Sequence, residues 1–423
     1  MSERIQDLNL GADDRAVLDA MAADGGRGLV GRAVEWCAIN SGSRNLEGLE
    51  RQRAVLAQVL AQAPGEVESL PLSPSVEIAA DGRERPQAHT DALRLTVRPD
   101  APVQVVLTGH YDTVYPAESP FQRVVDRADG ALHGPGIADM KGGISVMLGA
   151  LAAFERHPLA GRLGYRVLLS PDEEIGSLAS APLLAELGAQ GHVGMTYEPA
   201  LADGTLAGAR KGSGNFHVVV RGRAAHAGRD FHLGRNAVVA AARLAEALNA
   251  VNGGREGVTL NVARIDGGSP LNMVPDVAVV RFNVRFPDAE AGAWTRSAVE
   301  AALEAGKGEG LSLDLHGGFT RPAKPFNAAQ SRLFEAVRAA GRLLGQDIGW
   351  KPSGGVCEGN NLFAAGLPNV DTLGVRGGDI HSENEYAWPE SFLERAQLSA
   401  LILMKLAAGE IDGPGLRAAM ENA

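Results

Sequence analysis

The feature that most restricts the fold of this chain is an alternation of short apolar runs with helical stretches, in which the apolar runs end on polar side chains. Residues 103–108 (VQVVLT) lead into Gly109-His110-Tyr111-Asp112. Residues 165–169 lead into Ser170-Pro171-Asp172-Glu173-Glu174, and residues 193–197 end at Glu198. Apolar residues at three-to-four spacing predict helices at 15–22, 29–38 and 46–61, ahead of a strand at 93–97. Further helices are predicted at 144–154 and 180–187. Strands alternating with helices predict a parallel or mixed sheet covered on both faces.

The pattern changes near Gly212. Strands are predicted at 215–222, 258–265, 277–286 and 311–315, with helices at 236–248 and 289–305. This β, α, β, β, α, β order is that of a small split sandwich with helices on one face. The first pattern resumes near Arg321-Pro322, with a helix at 328–344, a strand near 370–373 and a helix at 389–408. The expectation is an α/β domain with a mixed central sheet flanked by helices, in two segments, 1–212 and 323–423. An inserted α+β, ferredoxin-like domain occupies 213–322. At 423 residues the chain has room for two cores.

Composition narrows the function. Hydrophobic residues make up 45% and charged residues 22%, the balance of a folded soluble protein. The formal charge of -11, from 40 basic and 51 acidic residues, argues against nucleic acid and against an anionic membrane surface. The two cysteines, Cys37 and Cys357, lack metal-site or disulfide spacing and read as free thiols of a reducing compartment. The opening MSERIQDLNLGADDR lacks the apolar core of a signal peptide, and no uncharged apolar run is long enough to span a bilayer. A cytoplasmic location is expected.

Taken singly, the polar strand ends are ambiguous. His110 and Asp112, at i and i+2, point the same way from a strand end. Asp139 lies in Gly134-Pro135-Gly136-Ile137-Ala138-Asp139-Met140-Lys141-Gly142-Gly143, where it reads as a helix cap that needs none of those glycines. Asp172, Glu173 and Glu174 read as a solvated acidic loop whose charges repel unless something positive sits nearby. Together with Glu198, and with His381 in Gly377-Gly378-Asp379-Ile380-His381, they supply imidazole and carboxylate at successive strand ends. That is a ligand set for zinc or a similar divalent ion.

The sequence resembles the co-catalytic zinc carboxypeptidases and aminoacylases, and within them the bacterial glutamate carboxypeptidases. The matches run in order: GHYDTV (109–114), GPGIADMKGG (134–143), SPDEEIGS (170–177), YEP (197–199), AAHAG (224–228), NMVP (272–275) and IHSENEY (380–386). The resemblance implies that Asp139 bridges two zinc ions, with His110 and Glu198 completing one site and Glu174 and His381 the other. Cobalt or manganese are alternatives. It implies Glu173 as general base toward a water shared by the ions. Asp112 would orient His110, and the Asp139–Met140 peptide would be cis. The inserted domain would mediate a homodimer, with His226 stabilising the oxyanion. Arg285 matches a position that binds the substrate carboxylate. Asn272 is a further substrate-binding candidate, and Lys211 a weaker one.

One stretch departs from the family. Glutamate carboxypeptidases carry a Gly-Gly-Gly-Thr-Asp loop where this chain has Ser353-Gly354-Gly355-Val356-Cys357-Glu358-Gly359-Asn360-Asn361. That leaves the recognised side chain open, and Cys357 reads as a packed thiol. The expected function is release of a C-terminal amino acid from an N-acyl amino acid or short peptide. N-acyl-amino-acid deacylation or dipeptide cleavage is the alternative, then a non-catalytic binding relative. A dinuclear phosphoesterase is disfavoured because no basic cluster adjoins the motifs in sequence.

Overall fold

A computed structural model describes residues 8–421; the first seven residues of the polar opening segment lie outside the described residues. The central sheet has six strands, in the spatial order Glu66–Leu70, Ala92–Val97, Leu163–Ser170, Val103–His110, Val193–Thr196, Asn369–Val370. The first two pair antiparallel, and Ala92–Val97 is antiparallel to Leu163–Ser170; the other pairings are parallel. The sheet is therefore mixed, as the alternation predicts.

Register explains why the polar strand ends meet. Leu163–Ser170 and Val193–Thr196 flank Val103–His110 on its two sides, with His110 opposite Ser170 and Thr108 opposite Thr196. The residues that follow each strand thus leave the sheet on one edge, where ligand sites of open α/β sheets form. These strands are buried on both faces, so they read as continuous apolar runs rather than as alternating ones. Val106 and Leu168 pack on Leu184, Leu187 and Leu362. Val105, Leu107 and Val167 face the larger core with Ile144, Phe392 and Leu401.

The helix Lys141–Phe154 is buried almost all round. It lies so close to the sheet that a Cβ on Gly143 would stand 2.0 Å from the Tyr197 carbonyl oxygen, and one on Gly142 2.2 Å from that of Ile137. Only glycine permits this approach, and it brings the helix start against the strand that ends at Glu198.

The segment after Gly212 builds a separate four-stranded antiparallel sheet, in the order Thr259–Gly267, Val277–Phe286, Gly212–Arg221, Ser312–Arg321. The helices Ala237–Asn249 and Ala289–Gly306 cover one face and share a second hydrophobic core with it. The last strand, predicted at 311–315, runs on to Arg321; the glycines at 317 and 318 interrupt its apolar pattern and conceal the continuation. The strand expected near 370–373 is only Asn369–Val370. A hairpin, Ser75–Ile78 with Glu84–Gln87, reaches the helix-free face of this second sheet. Ile78 packs there with Val219 and Val279, and Arg221 donates a 2.8 Å hydrogen bond to the Gly82 carbonyl. Among the described residues, no helix is long and apolar enough to cross a membrane.

Replacing Gly143 by alanine should push the helix Lys141–Phe154 off Tyr197. We expect a loss of about 1–3 kcal/mol in urea unfolding, accompanied by weaker retention of divalent metal in equilibrium dialysis. Unchanged values of both would mean that the helix has room to spare.

Candidate metal centre

Five side chains converge at the strand ends. The His110 Nε2 atom lies 3.1 Å from Asp139 Oδ1 and 3.8 Å from Glu198 Oε1. The His381 Nε2 atom lies 3.3 Å from Asp139 Oδ2 and 3.1 Å from Glu174 Oε2. One oxygen of Asp139 therefore faces each imidazole. Ligand atoms of His110, Asp139 and Glu174, and those of His110, Glu173 and Glu198, lie within 4.8 Å of one another. His110, Asp139 and Glu198 are buried, whereas the His381 side chain is 54% exposed. His381 also has φ of 61°, in the left-handed region that a non-glycine residue rarely adopts.

The electrostatics call for added positive charge. Burial and the neighbouring Asp139 charge push Glu174 up to about 8 and hold Glu198 well above the carboxylate range. Burial raises Asp139 too, but hydrogen bonds from His110 and His381 overcome it and lower its pKa. Hydrogen bonds to Asp139 and Glu174 raise His381 to about 11. Burial opposes the charge on His110, yet Asp112 and Asp139 raise its pKa well above that of free imidazole. Oε1 of Glu198 is buried without a hydrogen-bond partner. Crowded carboxylates and imidazoles with an orphaned oxygen fit a divalent cation.

The surroundings hold these groups in place. Asp112 accepts hydrogen bonds from Ser43 Oγ at 2.7 Å and from the backbone N–H groups of Glu173 and Glu174 at 3.2 Å each. Its Oδ1 lies 3.3 Å from His110 Nδ1. The Asp139–Met140 peptide is cis. Glu385, a motif residue to which the sequence assigned no role, is fully buried; it accepts from the N–H groups of Ala138 and Asp139 at 2.9 Å and from Gly136 at 3.0 Å. It clamps the loop that presents Asp139.

A cavity of about 750 Å³ opens over the cluster, and Arg210, Arg285, Arg321 and Lys351 line it beside Glu173. Basic residues that lie far apart in sequence thus line one cavity, with Arg210 engaged by Asp371 and Arg321 by Glu173. Arg321, at the predicted boundary of the inserted segment, pairs with Glu173 at 2.5 Å and donates to Asn361 Oδ1 at 2.7 Å. Arg285 donates through Nε to Asn283, but its buried Nη1 has no partner.

Other candidates lie elsewhere. Lys211 donates to the Gly257 carbonyl and does not line the cavity. His226 and Asn272 are exposed neighbours on the second sheet's domain, and neither lines the cavity. The Ala227 N–H donates to the Asn272 carbonyl at 2.9 Å, which ties these two candidates together. Cys357 is a packed thiol whose Sγ lies 3.6 Å from Asp371, and burial raises its pKa. The 353–361 stretch lines the cavity with Ser353, Gly354, Gly355 and Val356, while Glu358 turns inward to Ser170.

A mixed α/β sheet with acidic and imidazole side chains gathered at its strand ends, under a cavity lined by both carboxylates and guanidinium groups, is the arrangement of a metal-binding site built to receive a polar ligand. Residues 106–405 match Peptidase family M20/M25/M40, and the chain belongs to that family. It is 28% identical to carboxypeptidase G2 of Pseudomonas sp. (strain RS-16) over 316 residues, which cover 72% of this chain and 74% of that one. It is 35% identical to a succinyl-diaminopimelate desuccinylase of Methylorubrum extorquens over 312 residues, 66% of this chain and 77% of that one. Its fold matches a tripeptidase from Staphylococcus aureus with a TM-score of 0.69 at 23% identity, covering 90% of this chain and 98% of that one.

Chelation should leave Glu174 and Glu198 beside Asp139 with only the His110 and His381 imidazoles to offset their charge. We expect turnover to vanish and the melting temperature to fall by roughly 5 °C or more. A melting curve indifferent to chelator and to added metal would count against a metal at this cluster.

Proposed function

We propose that this protein is a dinuclear zinc hydrolase that releases a C-terminal amino acid from an N-acyl amino acid or short peptide, by the chemistry of a glutamate carboxypeptidase. The observation that carries the reading is Asp139, whose two oxygens face two imidazoles, each with a further carboxylate beside it. His110, Asp139 and Glu198 would hold one ion; Asp139, Glu174 and His381 would hold the other. Cobalt or manganese would suit the same donors. When bound, such ions supply Lewis acidity and lower the pKa of water.

The chain's own residues do the rest. Glu173, at the cavity wall, takes the proton of the attacking water and returns it to the leaving nitrogen. Asp112 fixes both the His110 ring and the backbone that carries Glu173. Arg285, with its unpartnered Nη1, and Arg321 bind the substrate carboxylate. Because Arg321 touches Glu173, the bound carboxylate is anchored beside the base.

His226 serves the oxyanion. Its Nδ1 accepts from the N–H groups of Gly228 and Arg229 at 3.1 and 3.2 Å, which leaves the ring proton on Nε2 as an outward donor. Its exposure, next to Asn272, suits donation into the cavity of a second copy, in a homodimer formed through the inserted domain at 213–322. The two buried free thiols favour a cytoplasmic setting. The desuccinylase among the relatives favours a second reading, in which the same chemistry deacylates an N-acyl metabolite.

Glu173→Ala should keep its metal and lose about 10³-fold or more in kcat toward N-acyl amino acids. Metal analysis and amino-acid release measure the two separately, and a variant that kept most of its turnover would remove Glu173 as the base. Arg285→Ala should raise KM about tenfold or more with a smaller change in kcat. An unchanged KM would place the carboxylate elsewhere.

A further inference from the structure

The reaction cavity continues past the arginines. On the strand Gly212–Arg221 and its antiparallel neighbour Val277–Phe286, four pairs lie opposite one another: Ser213 with Arg285, Asn215 with Asn283, His217 with Arg281, and Val219 with Val279. Alternation along a strand puts these pairs on one face. The intervening Val218, Val220, Val280 and Phe282 enter the helix-covered core, whereas Val219 and Val279 pack on Ile78 of the hairpin. The exposed face of the second sheet therefore runs from Arg285, in the reaction cavity, to the hairpin Ser75–Gln87.

Between those ends lies a second cavity of about 610 Å³. Ile175, Asn215 and Thr320 line both cavities, so the two adjoin. One wall is polar: Asn283 donates to Asn215 Oδ1 at 2.7 Å, and Arg281 Nη1 lies 3.1 Å from His217 Nδ1. Opposite it, Ile175, Leu178 and Val76 form an apolar patch beside the hairpin's Glu77 and Glu84. Leu178 and Val76 are 45% and 58% exposed, so this apolar patch is open to an incoming group.

The charges along this cavity already have partners. Arg281 pairs with Asp266 at 2.8 Å and Arg44 with Glu77 at 3.4 Å, while His316 lies 3.4 Å from Glu84. An anionic group there would compete with carboxylates already in place. The first polar pair beyond Arg285 is two residues further along the sheet, about 7 Å away. That is the reach of an aromatic side chain whose carboxylate is held by Arg285. A volume of this size also exceeds what a glutamate side chain fills.

We propose that this second cavity is the subsite for the side chain of the released amino acid, and that it selects a large uncharged side chain with an apolar face and a hydrogen-bonding edge, as in tyrosine. The proposal rests on the hydrolytic reading above and specifies its leaving residue. The hairpin supplies the outer wall, so specificity is built by a segment remote in sequence from the metal ligands.

The test holds the acyl group constant and varies the leaving residue: N-acetyl-alanine, N-acetyl-glutamate and N-acetyl-tyrosine, with zinc-loaded protein. We expect kcat/KM for the tyrosine compound to exceed that for the other two by about tenfold or more. Leu178→Trp and Val76→Trp fill the cavity from its apolar wall. Each should cut the tyrosine value about tenfold and leave the alanine value within about twofold. In calorimetry, N-acetyl-tyrosine should bind Glu173→Ala about tenfold more weakly when Leu178→Trp is added. A preference for glutamate or alanine overturns the proposal, as do filled variants that weaken both substrates equally or neither. Absence of hydrolysis for every substrate, with metal bound, would instead overturn the hydrolytic reading on which it rests.

Discussion

The Asp139 carboxylate is the point on which the site depends. It sits between two imidazoles in a buried setting, where an unpaired charge is costly. Its position is fixed twice over. Glu385 gathers the backbone N–H groups that precede it, and the glycine face of the helix that follows lies against Tyr197. The parallel register of three strands then delivers His110, Glu174 and Glu198 to the same edge. The carboxylates of Asp139, Glu173, Glu174 and Glu198, assembled this closely, repel one another, so the arrangement favours a cation among them.

Much of this was legible in the sequence because it is local. Apolar runs ending in polar residues gave the strands and their polar ends, and the βαββαβ order gave the second sheet. The glycines around Asp139 marked a close approach that a simple cap does not need. What was not legible depends on tertiary contact. Arg321 lies 148 residues from Glu173, and its pairing leaves no trace in spacing. Arg210 and Lys351 reach the same cavity from separate segments. Lys211 follows Arg210 directly, yet it points to Gly257. The hairpin escaped notice because a polar, proline-containing stretch carries little periodicity; of its first strand only Ile78 is fully buried.

The division of labour follows from these origins. His110, Asp139 and Glu198 stand at strand ends and just ahead of a buried helix, where packing allows little movement, whereas His381 stands half exposed in a turn. The walls that would discriminate among substrates come from loops, from the second sheet and from the hairpin. Such segments tolerate change without disturbing the core. A scaffold arranged in this way holds one chemistry fixed while its recognition surface varies.

The connections of the second sheet have a mechanical consequence. The chain enters that sheet at Gly212 and leaves it at Arg321, and Ser213 is registered opposite Arg321. Entry and exit therefore sit side by side, next to Arg285 and Arg321, while the hairpin Ser75–Gln87 grips the same sheet again further along, at Val219, Arg221 and Val279. The strand Gly212–Arg221 runs about 30 Å from its entry, toward the turn that carries His226. The sheet is thus held both at its cationic end and at the hairpin, and the exposed His226 follows the second of these supports in the chain.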